Sequence, residues 1–165
     1  MNILLAVITA AFGAAAGLYF SKRLKEREAV LSAVILLIRE LTVQIRYTNS
    51  EIGKMLRSAA QNEEFKKLLF VTGCEEISEK GDFHKSWRSG AAMQPYLNTK
   101  DRELLLSLGE KLGSTDLDGQ LSFLEMTEEI FKERQKQAFS DYLNKGRVYR
   151  SVGVLCGLAA GIIVL

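Results

Sequence analysis

Two charge-free apolar stretches, residues 2–20 and 151–165, lie at the ends of this chain, and each has a basic cluster on its inward side. Lys22, Arg23, Lys25 and Arg27 follow the first; Lys145, Arg147 and Arg150 precede the second. Lys and Arg that flank a span stay on the cytoplasmic side of a membrane. The pattern predicts a transmembrane helix over residues 1–21, a cytoplasmic helical domain over 22–150 and a second transmembrane helix over 151–165. Both termini are then outside, and the charged middle is in the cytoplasm.

The first stretch carries Ile3, Leu4, Leu5, Val7, Ile8, Phe12, Leu18, Tyr19 and Phe20, and its length suits a hydrocarbon core of roughly 30 Å. Ala14-Ala15-Ala16-Gly17 has the small residues of a signal-peptide cleavage site. The positive charge, however, follows the apolar run instead of preceding it, which favours a retained anchor. The second stretch reaches only about 22 Å as a helix. Local bilayer thinning absorbs such a mismatch, and Tyr149 suits the interface. Residues 152–165 show no polar face, which argues against a buried helix of a soluble domain.

Both stretches repeat small residues at a spacing of four: Ala6, Ala10 and Ala14 beside Gly13 and Gly17, then Gly153, Gly157 and Gly161. In lipid no hydrophobic effect drives helices together, and close backbone approach through small residues takes its place. Either the two spans pack on each other or copies of the chain assemble as a homo-oligomer.

The middle is long enough for one domain with one core. The net charge is only +2. Outside the two flanking clusters acids and bases are mixed, without the basic stripe that nucleic-acid binding needs. The flanking cations read as topology signals that also touch membrane lipid. Cys74 and Cys156 fall on different sides of the predicted membrane boundary and read as free, small apolar residues. His84 is the one histidine, with no Cys-x-x-Cys to complete a metal set. No phosphate-cradling G-x-x-x-x-G-K-[ST] and no triad set occurs. Residues 113–119 lack the Lys of a phosphate loop. Glu75–Glu76 and Glu128–Glu129 are helical neighbours that point apart, and they read as solvated surface, as do Glu128 with Lys132 at i,i+4. The residues thus predict no catalytic group, no cofactor and no metal.

Helical periodicity organises the middle. Residues 22–48 hold no Gly or Pro, and 29–38 is apolar except for Ser32. A segment so apolar and so short belongs in the centre of a bundle, with Ala33, Leu37, Leu41 and Ile45 in one row. Asn49 or Ser50 is expected to cap a helix with Ile52, Met55, Leu56 and Ala59. Asn62 precedes a run of Phe65, Leu68, Leu69, Val71 and Ile77, with Gly73 a weak point, and Gly81 ends this unit. Asp82 caps a helix with Phe83, Trp87 and Met93, weakened at Ser89-Gly90-Ala91, before a break at Pro95. Asn98 and Thr99 open another, with Asp101 and Glu103 suited to its positive end and Leu104, Leu105, Leu108 and Leu112 as its stripe. Gly113 stops it. From about Asp118 a long final helix follows, with Leu121, Leu124, Phe131, Ala138, Tyr142 and Tyr149 on one face; it is expected to run straight into the second apolar stretch, with Gly146 the place where a bend would fall. The fold class is all-α: a cytoplasmic bundle of about six helices flanked by N- and C-terminal transmembrane helices.

The turn before the last helix reads Leu112-Gly113-Ser114-Thr115-Asp116-Leu117-Asp118-Gly119-Gln120. This L-G-x-x-D-x-x-G-Q pattern resembles the stage III sporulation protein AB family of endospore-forming bacteria. Leu36-Leu37-Ile38-Arg39-Glu40-Leu41 through Tyr47 resembles the family's first cytoplasmic helix, and Gly146-Arg147-Val148-Tyr149-Arg150-Ser151-Val152-Gly153 its approach to the last span. The resemblance covers nearly the whole chain. One departure is Thr48-Asn49-Ser50-Glu51-Ile52, which stands where the family pattern has a proline-containing turn.

The resemblance implies a relation to the six-helix cytoplasmic domains of secretion and pilus inner-membrane platform proteins. It implies a non-catalytic adaptor on the mother-cell side of a channel complex between mother cell and forespore. The implied partners are a secretion-type hexameric ATPase and other subunits of that complex. Asp116, Asp118 and Gln120 are the candidate partner-binding residues, or else a helix stop and cap; Gly13, Gly17, Gly153, Gly157 and Gly161 are the candidate transmembrane packing residues. The rival function is a membrane-tethered helical enzyme or sensor. A third reading, a small pore, lacks ionisable residues inside either span.

Overall fold

The computed structural model describes residues 2–48, 51–75 and 82–164, with side chains described between 7 and 162. Among them the chain is helical, without a strand: α1 (Asn2–Tyr47), α2 (Ile52–Ala60), a 3-10 turn (Glu63–Phe65), α3 (Leu69–Thr72), α4 (Phe83–Met93), α5 (Thr99–Lys111) and α6 (Leu117–Val164). The all-α expectation of about six helices holds. Among the described residues no helix is long and apolar enough to cross a membrane, so the transmembrane part of the expectation is not shown. Ile3, Leu4 and Leu5 at one end and Ile163, Val164 and Leu165 at the other lie outside the described side chains.

The chain divides into two compact units, one of Met1–Glu28 with Lys136–Leu165 and one of Ala29–Gln135. Parts of α1 and α6 belong to each.

In the unit of Ala29–Gln135, the apolar run of α1 is surrounded. Val30, Leu31, Ala33, Val34, Ile35, Leu37 and Ile38 are all buried, and Leu41 and Ile45 continue the row. A helix apolar on nearly every side has to be covered on nearly every side, and these residues are. α6 lies along α1 here, tied to it by Arg39–Glu128 at 2.7 Å and Arg46–Glu125 at 3.2 Å. The buried residues of α6 are Gln120, Leu124, Thr127 and Phe131, spaced four, three and four apart as on one helix face.

The short helices stack in order, α2 on α3, α3 on α4 and α4 on α5. Two glycines set their spacing. A Cβ built on Gly90 of α4 would run into the Phe70 backbone, and one on Gly109 of α5 would enter the Trp87 indole. Trp87 packs against Phe70 with ring centroids 4.5 Å apart, and its Nε1–H donates to the Leu105 carbonyl at 2.9 Å. Gln94 is fully buried. Its Oε1 accepts from the Leu69 N–H at 2.8 Å, and its Nε2 donates to the Lys67 carbonyl at 3.1 Å. One side chain thus satisfies a free donor at the start of α3 and holds that start to the end of α4.

Three side-chain caps are present, of which Asp82 is the expected one. Asn62 accepts from the Glu64 N–H, Asp82 from His84 and Asn98 from Asp101. Gly113, at φ +81°, ends α5 as expected. Other expectations need correction. The N-cap of α2 is Glu51, without a side-chain bond; Asn49 and Ser50 lie outside the described residues. The run from Asn62 is not one helix. It is a 3-10 turn and a single-turn α3 that ends at Gly73, and Ile77 and Gly81 lie outside the described residues. α4 continues through Ser89-Gly90-Ala91. α6, by contrast, is as expected: it begins at Leu117, next to Asp118, and runs through Gly146 to Val164 as one helix. Tyr96, just after Pro95, has φ 67°, a strained conformation for a bulky side chain.

Asp101, expected to be a solvated acid of a first turn, is fully buried. Arg134 of α6 lies 3.3 Å from it. The charge at the start of α5 is therefore answered by a second helix as well as by the helix dipole.

Candidate functional site

The most unusual surface belongs to the unit of Met1–Glu28 and Lys136–Leu165. Its two helical arms run antiparallel, because residues rising along α1 meet residues falling along α6. A Cβ built on Gly157 would lie 2.7 Å from the Ala10 carbonyl oxygen, one on Gly13 would lie 2.7 Å from that of Gly153, and one on Gly17 would lie 2.5 Å from that of Tyr149. No side chain fits between these backbones. Gly161, the third glycine of that row, is buried as well.

The outside of this unit is the reverse of its inside. Val7, Ile8, Leu18, Tyr19, Leu155 and Leu158 are more than half exposed, and Phe12 and Ile162 are 77% and 75% exposed. A groove of about 390 Å³ between the arms is lined by apolar atoms of Ile8, Phe12, Gly13, Cys156 and Gly157. Water-soluble folds rarely leave so continuous an apolar coat. Small residues lie within and large apolar residues without.

The two basic clusters meet at one end of this coat. Phe20 contacts Tyr149 with ring centroids 5.8 Å apart, and Tyr19 contacts Phe20 at 5.7 Å. Next comes Ser21, which is buried; its Oγ would lie 3.1 Å from a Cβ on Gly146. Then Asp141 binds Lys145 at 2.8 Å and Arg27 at 3.8 Å. The hydrogen bond to Asp141 raises the Lys145 pKa.

The glycine–glutamine turn lies in the other unit. Ser114 Oγ donates to the Lys111 carbonyl at 2.7 Å, and the Gln120 N–H donates to the Asp116 carbonyl at 2.9 Å. Asp116 immediately precedes α6, and Asp118 sits in its first turn, where an acid suits the helix dipole. Both are exposed. Gln120 turns inward and is 7% exposed, and its Nε2 has no hydrogen-bond partner among the described residues. The three candidates therefore do not form one surface, and a partner reaching this turn meets Asp116 and Asp118.

Among the described residues no three His, Cys, Asp or Glu side chains group to hold a metal. His84 Nδ1 is 2.8 Å from the Gly109 carbonyl, which fixes that nitrogen as the N–H donor. Cys74 is buried, and burial pushes its thiol pKa up to about 11, so it stays protonated. Cys156 is exposed on the apolar coat.

A family model described as stage III sporulation protein AB matches residues 2–165. The chain belongs to the stage III sporulation protein AB family. Its role is accordingly in sporulation. No curated protein and no solved structure matches the chain. The glycine–glutamine turn, the apolar run of α1 and both arms of the helix pair all fall inside the stretch that the family model matches.

Proposed function

We propose that this member of the stage III sporulation protein AB family is a two-pass membrane protein whose central helical unit is a non-catalytic adaptor. On this reading the helix pair is the membrane anchor, both termini lie outside, and the middle works on the mother-cell cytoplasmic side of a channel complex between mother cell and forespore. The adaptor couples a secretion-type hexameric ATPase to membrane components.

The observation that carries the anchor is the helix pair's inversion: glycine backbones in contact within, large apolar side chains facing out. The basic clusters, both at the inner ends of the apolar stretches, support the orientation. The adaptor role rests on the family resemblance and on the exposed Asp116 and Asp118 beside its most specific motif.

Topology is tested with accessibility reporters at both termini and in the middle, together with alkaline carbonate extraction. The expected result is a carbonate-resistant protein with only the middle reached from the cytoplasm; release by carbonate overturns the anchor. The partner is tested by pull-down of the candidate ATPase with Asp116→Ala and Asp118→Ala variants, which are expected to weaken capture while the helical signal is retained. Unchanged capture removes this turn from the interface. Nucleotide hydrolysis by the purified chain alone would overturn the non-catalytic reading.

A further inference from the structure

The helix pair brings two basic clusters that are distant in sequence to one level. Gly17 meets Tyr149, Phe20 meets Tyr149, Ser21 meets Gly146 and Arg27 meets Asp141. Residues 22–28 and 141–150 thus form a collar around the two arms, directly beside the aromatic cluster of Tyr19, Phe20 and Tyr149. The collar holds seven cations and three acids, an excess of four; the rest of the chain holds fifteen cations and seventeen acids. The positive charge of the protein is therefore concentrated at this level.

The geometry also sorts the cations. Arg27 and Lys145 share Asp141. Lys22, Arg23, Lys25 and Arg147 are exposed and have no ion pair among the described residues. Arg150 Nε donates to the Gly146 carbonyl at 3.3 Å, which holds that side chain against its own helix. Aromatic rings between an apolar coat and a ring of cations are the layering of the headgroup region.

The geometry points to a collar, made of Lys22, Arg23, Lys25 and Arg147, that binds the phosphates of anionic phospholipid headgroups and gathers such lipids around the protein. This rests on the membrane reading above and adds a lipid preference to it. Charge complementarity selects the occupant: near an anionic leaflet each Lys or Arg contributes about fivefold in affinity, and the attraction is screened by salt. Asp141 sets the ceiling, because it withdraws two further cations from the lipid.

The full-length protein is reconstituted in phosphatidylcholine vesicles containing a minor fraction of phosphatidylglycerol and excised with a membrane-solubilising copolymer. The lipids carried along are then quantified. The wild type is expected to enrich phosphatidylglycerol at least about twofold over the bulk ratio. Lys22→Gln/Arg23→Gln/Lys25→Gln/Arg147→Gln is expected to return to bulk. Asp141→Asn, which removes the partner of Lys145, is expected to exceed wild type; this rise separates lipid binding from a folding defect.

Carbonate extraction of the same vesicles separates the two layers of the argument. A wild type that carbonate releases defeats the membrane reading itself. A carbonate-resistant wild type carrying lipid at the bulk ratio defeats the collar alone. Loss of enrichment on adding inorganic phosphate at constant ionic strength would make this a free-anion site and overturn the lipid assignment.

Discussion

The two units of this molecule solve opposite packing problems. In the unit of Ala29–Gln135, large side chains are inside: Trp87, Phe65, Phe70, Phe131 and a column of Leu and Ile from α1 are fully buried, and charges are largely outside. In the helix-pair unit the small residues are inside and the Phe, Leu, Ile and Val side chains are outside. One core gains by removing apolar area from water. The other brings glycine backbones into direct contact and leaves its large apolar side chains outside. The difference shows that two units of one chain can place large apolar side chains on opposite sides of their helices.

From that contrast, enlarging a residue should be ruinous in one unit and shrinking one ruinous in the other. Gly157→Leu is expected to abolish pairing of the two arms. An intramolecular crosslink between Cys156 and Phe12→Cys, which line the same groove, should form in the parent and be lost in the variant. An unaltered crosslink would show that the glycine contact does not hold the pair. Trp87→Ala is the matching change in the other unit. It removes the Phe70 contact and leaves the Leu105 carbonyl without its donor. It should cost about 3–5 kcal/mol, read from urea unfolding of the full chain, with the crosslink unaffected.

Smaller effects test the polar groups of the Ala29–Gln135 unit. Gln120→Leu keeps volume and removes an amide whose Nε2 lacks a partner among the described residues. It is expected to raise stability by about 1 kcal/mol; a loss of stability would mean the amide is satisfied in solution. Glu128 lies between Arg39 and Lys132. Partial burial opposes its ionisation, but the hydrogen bonds from Arg39 and Lys132 outweigh burial and hold its pKa below the ordinary value. A folded pKa below the unfolded one stabilises the fold above the unfolded pKa and is lost as pH falls through the folded pKa. The Glu128 contribution is thus present at neutral pH and fades as acid is added below about pH 4.5. Glu128→Gln should cost about 0.5–1 kcal/mol at pH 7 and flatten that acid limb of the stability profile. An identical limb in both proteins would assign it to other carboxylates.

Much of the Ala29–Gln135 unit was legible from residue types. Asn62, Asp82 and Asn98 cap because their side chains reach only nearby N–H groups, and such local chemistry is visible in a sequence. The all-round apolar segment of α1 implied a central position for the same reason that it fills one. What was not legible depends on long-range partners. Gly90 reads locally as a weak point, yet it is where the Phe70 backbone comes close. Asp101 reads as a dipole-matched surface acid until Arg134, far along the chain, closes over it. Gln94 has no periodic signal, because its value lies in two carbonyl and amide groups near residue 68. In the turn, the spacing of Asp116, Asp118 and Gln120 suggested one polar surface. The first turn of α6 instead rotates Gln120 away from the two acids.

The glycine contact of the helix pair also constrains how this family can vary. Where two side chains meet in a core, growth on one side can be offset by shrinkage on the other. Gly13 and Gly17 face Gly153 and Gly157, and glycine has nothing smaller to become, so neither end of the chain can compensate for a change at the other. Divergence should therefore run freely over the outward apolar coat while both inner rows stand still together, which ties residues 10–17 to residues 149–157.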